Sequence, residues 1–305
     1  MLTSLLIVLP VFGLIGLGYL ARRLALVRDT TGDGLSDFVF VLAIPCLLFK
    51  TLATASFPPD QPWGYWISYF AALGVIWVLA QLAAKRFFAR SGRELVVCGF
   101  AAAQSNTMFV GVPMILKAYG EAGAVPLGML LAIHLPVTMT IATVLAEGRR
   151  TSVLQLLRRL FSHPIVIGIL LGSLARPVAG AIPQPLWTIV DLLAAAAIPC
   201  ALISLGIAMR RYGLASGIAL PAVLSALKLV LHPLLVLLLA TRVFAMPPVW
   251  SGVAVLFAAC PCGINAYLFA ERYRQGVAEA SGAIAMSTVL SLFTTVIWLT
   301  ILGVG

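Results

Sequence analysis

Ten apolar runs, each about as long as a helix needs to cross a bilayer, follow one another along this chain with only short polar joints between them. A hydrocarbon core of roughly 30 Å takes about 20 helical residues at 1.5 Å each. By that measure the candidate spans are 2–20, 34–56, 64–83, 95–117, 124–145, 164–182, 187–209, 216–240, 250–271 and 279–302. No joint is long enough to fold alone. Of the 305 residues, 62% are hydrophobic and 10% charged, whereas soluble domains are about half apolar and a quarter charged. These figures exclude a soluble enzyme, a disordered chain and a single-span anchor carrying a soluble head. The expected class is an all-α polytopic membrane protein. Arg22 and Arg23 follow the first run and no Lys or Arg precedes it, the reverse of a cleavable signal peptide, so the first run reads as a retained span.

The joints set an orientation. Arg22, Arg23 and Arg28 follow span 1, and Lys85, Arg86, Arg90 and Arg93 follow span 3. Arg149, Arg150, Arg158 and Arg159 follow span 5, Arg210 and Arg211 follow span 7, and Arg272 and Arg274 follow span 9. The alternate joints hold only Lys117, Arg176 and Arg242. That bias places the odd-numbered joints in the cytoplasm and both termini outside. It also explains the net charge of +10 as an orientation signal rather than a nucleic-acid footprint. Trp63, Trp187 and Trp250 fall at outer span ends, as an aromatic belt requires.

The sequence repeats itself. Pro10, Gly18, Leu20, Ala21 and Arg22 lie over Pro164, Gly172, Leu174, Ala175 and Arg176, 154 residues on. At the same offset Asp37 falls on Asp191, and Ala43-Ile44-Pro45-Cys46 falls on Ala197-Ile198-Pro199-Cys200. Each copy holds five spans, so the second must enter the membrane from the opposite side. The expected organisation is a first inverted repeat over 1–150 and a second over 151–305. Inverted repeats with discontinuous helices are the architecture of secondary transporters.

Spans 4 and 9 are equivalent in the repeat, and both are interrupted. Span 4 carries Gln104, Ser105, Asn106 and Thr107 in succession and then Pro113. Proline has no N–H and clashes with the carbonyl four residues back, so unwinding is expected from Asn106 to Val112, with the helix resuming near Pro113. Span 9 carries Cys260, Pro261, Cys262, Gly263 and Asn265 at one depth. Irregular backbone inside a membrane is tolerated only when buried in protein or lining a cavity. Crossing the two breaks would aim half-helix N-termini, partially positive, at a shared anion site beside Asn106 and Asn265. Ser105, Thr107 and Gly263 belong to the same candidate substrate site, with Pro113 and Pro261 as its helix breakers.

The run Asn106-Thr107-Met108-Phe109-Val110-Gly111-Val112-Pro113-Met114-Ile115-Leu116-Lys117-Ala118-Tyr119-Gly120 resembles the crossover helix of the auxin efflux carrier family. That family includes the plant PIN carriers and bacterial malonate and malate permeases. Ala43-Ile44-Pro45 and the stretch from Gly263 to Tyr273 are similar to it as well, and the ten-span, five-plus-five plan agrees along essentially the whole chain. The resemblance implies that Asn106 contacts a substrate carboxylate. About eighteen residues join spans 5 and 6, so the long central loop of many plant members is absent. A bacterial-type carrier of a small organic acid is therefore expected, placed in the inner membrane.

Ionisable residues inside the spans are costly and usually functional. Lys228, near the centre of span 8, is a candidate second positive group for a dicarboxylate, with His232 one turn on. Asp37, Asp191 and His232 are candidates for ion coupling. Lys50 sits nearer an interface, and His134 reads as a packed, hydrogen-bonded histidine. Cys46, Cys98, Cys200, Cys260 and Cys262 lack the spacing of a zinc or redox pair, so no metal is expected. No cofactor is expected either. The sequence lacks His-Glu-x-x-His, Gly-x-Ser-x-Gly and Asp-rich diphosphate motifs, and no catalytic residue is assigned. The expected function is secondary active transport of a mono- or dicarboxylate. A sodium-coupled carrier of the bile-acid symporter type and a non-transporting receptor on the same scaffold are the alternatives. Expected partners are the organic anion, the bilayer, a proton or sodium ion and a second copy of the chain, with no nucleic acid.

Overall fold

A computed structural model describes residues 2–54, 63–148, 158, 161–162, 164–212 and 217–304. Among them every regular element is helical. In chain order we name α1 (Leu2–Arg23), α2 (Asp29–Thr54), α3 (Trp63–Phe88), α4 (Arg93–Ala103), α5 (Val112–Tyr119) and α6 (Ala124–Glu147). The second half holds α7 (Pro164–Ala175), α8 (Gln184–Ala208), α9 (Ala219–Val243), α10 (Pro248–Ala259), α11 (Asn265–Tyr273) and α12 (Val277–Ile301). The expected boundary between halves at residue 150, and Arg149, Arg150 and Arg159 beside it, lie outside the described residues.

Among the described residues, eight helical stretches are long and apolar enough to cross a membrane. The difference from ten has a direct cause. The fourth and ninth apolar runs are each built from two short helices. The 11 residues of α4 and the 12 of α10 reach only about half the hydrocarbon thickness. The second piece of the fourth run continues through a 3-10 turn at Gly120–Gly123 into α6, giving one apolar stretch, Thr107–Glu147.

Glycines set how closely the long helices approach. A Cβ at Gly18 in α1 would collide with the backbone of Ile203 in α8, and one at Gly172 in α7 would collide with the backbone of Phe49 in α2. Gly206 meets the carbonyl of Ile15, and Gly168 the backbone of Pro45, in the same two interfaces. Small residues let helices in lipid approach until backbones touch, and packing rather than water exclusion then holds them. The Gly18–Ile203 and Gly172–Phe49 pairs are related by the 154-residue offset of the sequence repeat. At one end of this layer Arg22 makes a forked bond to Asp29, and Arg211 makes one to Asp33, with donor–acceptor distances of 2.7–2.8 Å.

Because the colliding atoms are backbone, they cannot swing aside. Gly18→Val and Gly172→Val should each cost about 1–3 kcal/mol, the range for forced overpacking. Thermal unfolding of the purified protein in detergent is the check, and unchanged midpoints would remove these glycines from the helix contacts.

Candidate functional site

The two interruptions meet. Gln104 and Asn106 leave helical geometry after α4, and the chain from Cys260 to Ile264 does so after α10. Ser105 and Cys262 face each other as an isolated antiparallel bridge. The Asn106 N–H donates to the Pro261 carbonyl at 2.8 Å, and the Gly263 N–H donates to the Gln104 carbonyl at 2.8 Å. Each break thus satisfies backbone groups that the other has freed, the condition for irregular backbone at membrane depth. A Cβ at Gly263 would lie 3.0 Å from the Ser105 carbonyl oxygen, so the close approach depends on glycine there.

Two further N–H groups at the bridge bond to side chains from the following long helices. Ser105 N–H donates to His134 Nε2 of α6 at 3.3 Å, and Cys262 N–H donates to Ser287 Oγ of α12 at 2.9 Å. His134 therefore accepts at Nε2, so its hydrogen sits on Nδ1 and points to the Tyr69 hydroxyl 3.0 Å away. A doubly protonated ring would lose the Ser105 bond. This is the packed, hydrogen-bonded histidine that the sequence leads one to expect.

The unwound segment is shorter than expected. Helical turns resume at Thr107 as a wide π-turn, Thr107–Gly111, in which the Asn106 carbonyl accepts from both Val110 and Gly111 N–H at 3.2 Å. Pro113 then follows as the second residue of α5, and its missing N–H leaves one carbonyl of the preceding turn without a helical donor. The expectation that the chain stays unwound to Val112 is corrected: the break ends at Asn106, because a π-turn relieves the proline clash without further unwinding.

Lys228 lies in a second π-turn, Leu227–Leu231, within α9 and is wholly buried. Its Nζ donates to Ser105 Oγ at 2.7 Å and to the Ala258 carbonyl, and lies 3.2 Å from His232 Nδ1. The ammonium has three hydrogens and here three acceptors. The Ala258 carbonyl belongs to the last turn of α10, one of the acceptors that a helix C-terminus leaves without an internal partner. Since His232 Nδ1 accepts, its hydrogen sits on Nε2, which is buried without a partner. Lys228 thus ties the first break to the helix end before the second.

Beside the bridge is a small cavity of about 20 Å³, close to the minimum for one ordered water. Ser105, Asn106, Thr107, Gly263 and Asn265 all line it, together with Gln104 and His134. Phe40 from α2 and Ile165 and Val166 from α7 close the other wall. None of the described residues lining it carries a full charge. Asn106 is 97% buried and its Nδ2 has no hydrogen-bond partner.

The other candidates lie elsewhere. Lys228 and His232 stand behind the bridge and do not line the cavity. Pro261 sits in the second break, and Pro113 is on α5. Asp191 pairs with Lys50 at 2.7 Å between α8 and α2, and Asp37 is exposed on α2; neither lines the cavity. Sequence reasoning missed Tyr69, Thr138 and Ser287. Thr138 Oγ1 donates to Gln104 Oε1 at 2.7 Å, holding the side chain at the start of the break. At the 154-residue offset His134 falls on Thr288 rather than Ser287, so the repeat held no direct signal for Ser287.

A family model described as membrane transport protein matches residues 3–155 and 149–299. The chain is 32% identical over 306 residues to a Rhizobium meliloti protein named "Putative malonate transporter", covering 94% of this chain and 92% of that one. It is 27% identical over 322 residues to an uncharacterized transporter of Methanothermobacter thermautotrophicus, covering 97% of each. It is 22% identical over 307 residues to an uncharacterized transporter of Methanocaldococcus jannaschii, covering 96% of each.

Proposed function

The chain belongs to the membrane transport protein family, that of the auxin efflux carriers and their bacterial relatives, and from this premise we propose that it is a secondary active transporter of a small organic anion. The substrate carboxylate binds at the paired breaks, and the site opens to each side of the membrane in turn. The observation that carries this reading is the Asn106 amide: a buried donor without a partner, on a cavity wall, beside two places where helical turns begin. A desolvated donor costs free energy until something accepts from it. Helix N-termini add partial positive charge at the same place. Ser105, Thr107, Gly263 and Asn265 complete the binding surface, and Lys228 positions Ser105 from behind. No catalytic step is assigned, in keeping with relatives named as transporters.

We further propose two inverted five-helix halves in the cytoplasmic membrane, with both termini outside. The reciprocal glycine contacts at one offset, and the matched bonds that His134 and Ser287 accept from the two breaks, support the internal two-fold. Proteoliposome uptake of labelled short carboxylates, malonate among them, tests the function under imposed proton and sodium gradients. Accumulation or counterflow of at least one is expected; binding without flux would instead indicate a receptor. For orientation, a single cysteine at Gly180 should label from outside intact cells and one at Ser91 should not, both positions being exposed. Outside labelling at Ser91 would reverse the assignment. The comparable positions Asp60 and Thr151 lie outside the described residues.

A further inference from the structure

We infer that the anion held at the crossover carries one negative charge: a monocarboxylate, or a dicarboxylate in its singly ionised form. This rests on the carboxylate reading above and adds the charge state to it. The positive character available to the cavity comes from the turns beginning at Thr107 and Asn265, roughly half a unit each at most. Asn106, Thr107 and Asn265 offer neutral donors. Together these match one carboxylate.

A second carboxylate would find no counter-charge among the described residues that line the cavity. The ammonium of Lys228 is on the other side of the bridge, and its three hydrogens are taken by Ser105 Oγ, the Ala258 carbonyl and His232 Nδ1. Turning toward the cavity would strand a buried carbonyl and two side-chain acceptors. His134 faces the cavity but is held neutral, because its Nε2 accepts from Ser105 N–H. The titratable groups packed behind the bridge are Lys228, His232, Tyr69, Cys260 and Cys262, and none of them lines the cavity. The opposite wall is Phe40, Leu131, Ile165 and Val166, which would desolvate a second carboxylate without a partner. The same wall suits a short alkyl chain or the neutral end of a half-protonated diacid.

The test compares malonate with its monomethyl ester, which can carry only one charge, by equilibrium binding to the purified full-length protein between about pH 5 and pH 8, where ordinary Asp and Glu carboxylates stay ionised. The ester should bind with a flat pH profile. Malonate should weaken by about tenfold per pH unit above its second ionisation, as the singly charged form is depleted. Malonate binding that is flat with pH, or tighter than the ester at pH 8, would overturn the inference. Parallel losses for both ligands would also overturn it, since the proton would then belong to the protein. Acetate, propionate and butyrate extend the series, and failure of every monoanion to bind counts against the inference too. Asn106→Ala separates the layers: a flat malonate profile that is still weakened by this change discards only the charge state. Binding indifferent to Asn106→Ala discards the crossover site with it.

Discussion

Lys228→Met is expected to lower the thermal stability of the protein, and to do so before any effect on substrate is considered. Methionine nearly conserves the volume, so the change isolates the ammonium. It leaves the Ala258 carbonyl and Ser105 Oγ buried without their donor, and each such group costs about 1–3 kcal/mol. Removing a desolvated charge returns part of that, for a net loss of about 2–4 kcal/mol. Lys228→Arg should not rescue it, because a planar fork does not fit a fully buried site shaped for a compact ammonium. Thermal unfolding in detergent is the measurement. An unchanged midpoint with weakened binding would move Lys228 from the support of the bridge to the substrate itself.

Asn106→Ala should behave in the opposite way. Its Nδ2 has no partner in the folded protein, so the truncation gives up no bond from that atom and the unfolding midpoint should hold. A carboxylate bound there would lose a hydrogen bond to a charged group, about 1.5–3 kcal/mol, or roughly 10- to 150-fold in affinity. The two variants thus dissociate stability from binding at neighbouring positions. Unchanged affinity in a well-folded Asn106→Ala protein would place the site elsewhere.

Much of the architecture is legible from local pattern. Span length follows from apolar runs, and the breaks from Gln104-Ser105-Asn106 and Cys260-Pro261-Cys262-Gly263, because helix interiors in lipid do not carry such residues without reason. The proximity of Lys228 and His232 is a one-turn spacing on a helix. What is not legible depends on tertiary contact. Lys228 meets Ser105 across 123 residues of chain, and nothing in the spacing says whether a midplane lysine faces a cavity or a carbonyl. The end of the first break is not legible either, because the choice between unwinding and a π-turn around Pro113 depends on tertiary neighbours. The number of uninterrupted crossing stretches changes for the same reason: hydropathy reads composition along a run and is blind to where its axis breaks.

The bridge between Ser105 and Cys262 also sets the order in which this protein can be made. A ribosome adding about 5–20 residues per second needs roughly 8 to 30 seconds to travel from one partner to the other. Throughout that interval the nascent N-terminal half holds Gln104 and Asn106 without the backbone that will pair with them. Its glycine-lined face of α1 likewise waits for α8. The half-made chain therefore carries polar backbone whose partners lie in the half still to be made. Two separately synthesised halves, by the same logic, should survive quality control only when both are present in one cell.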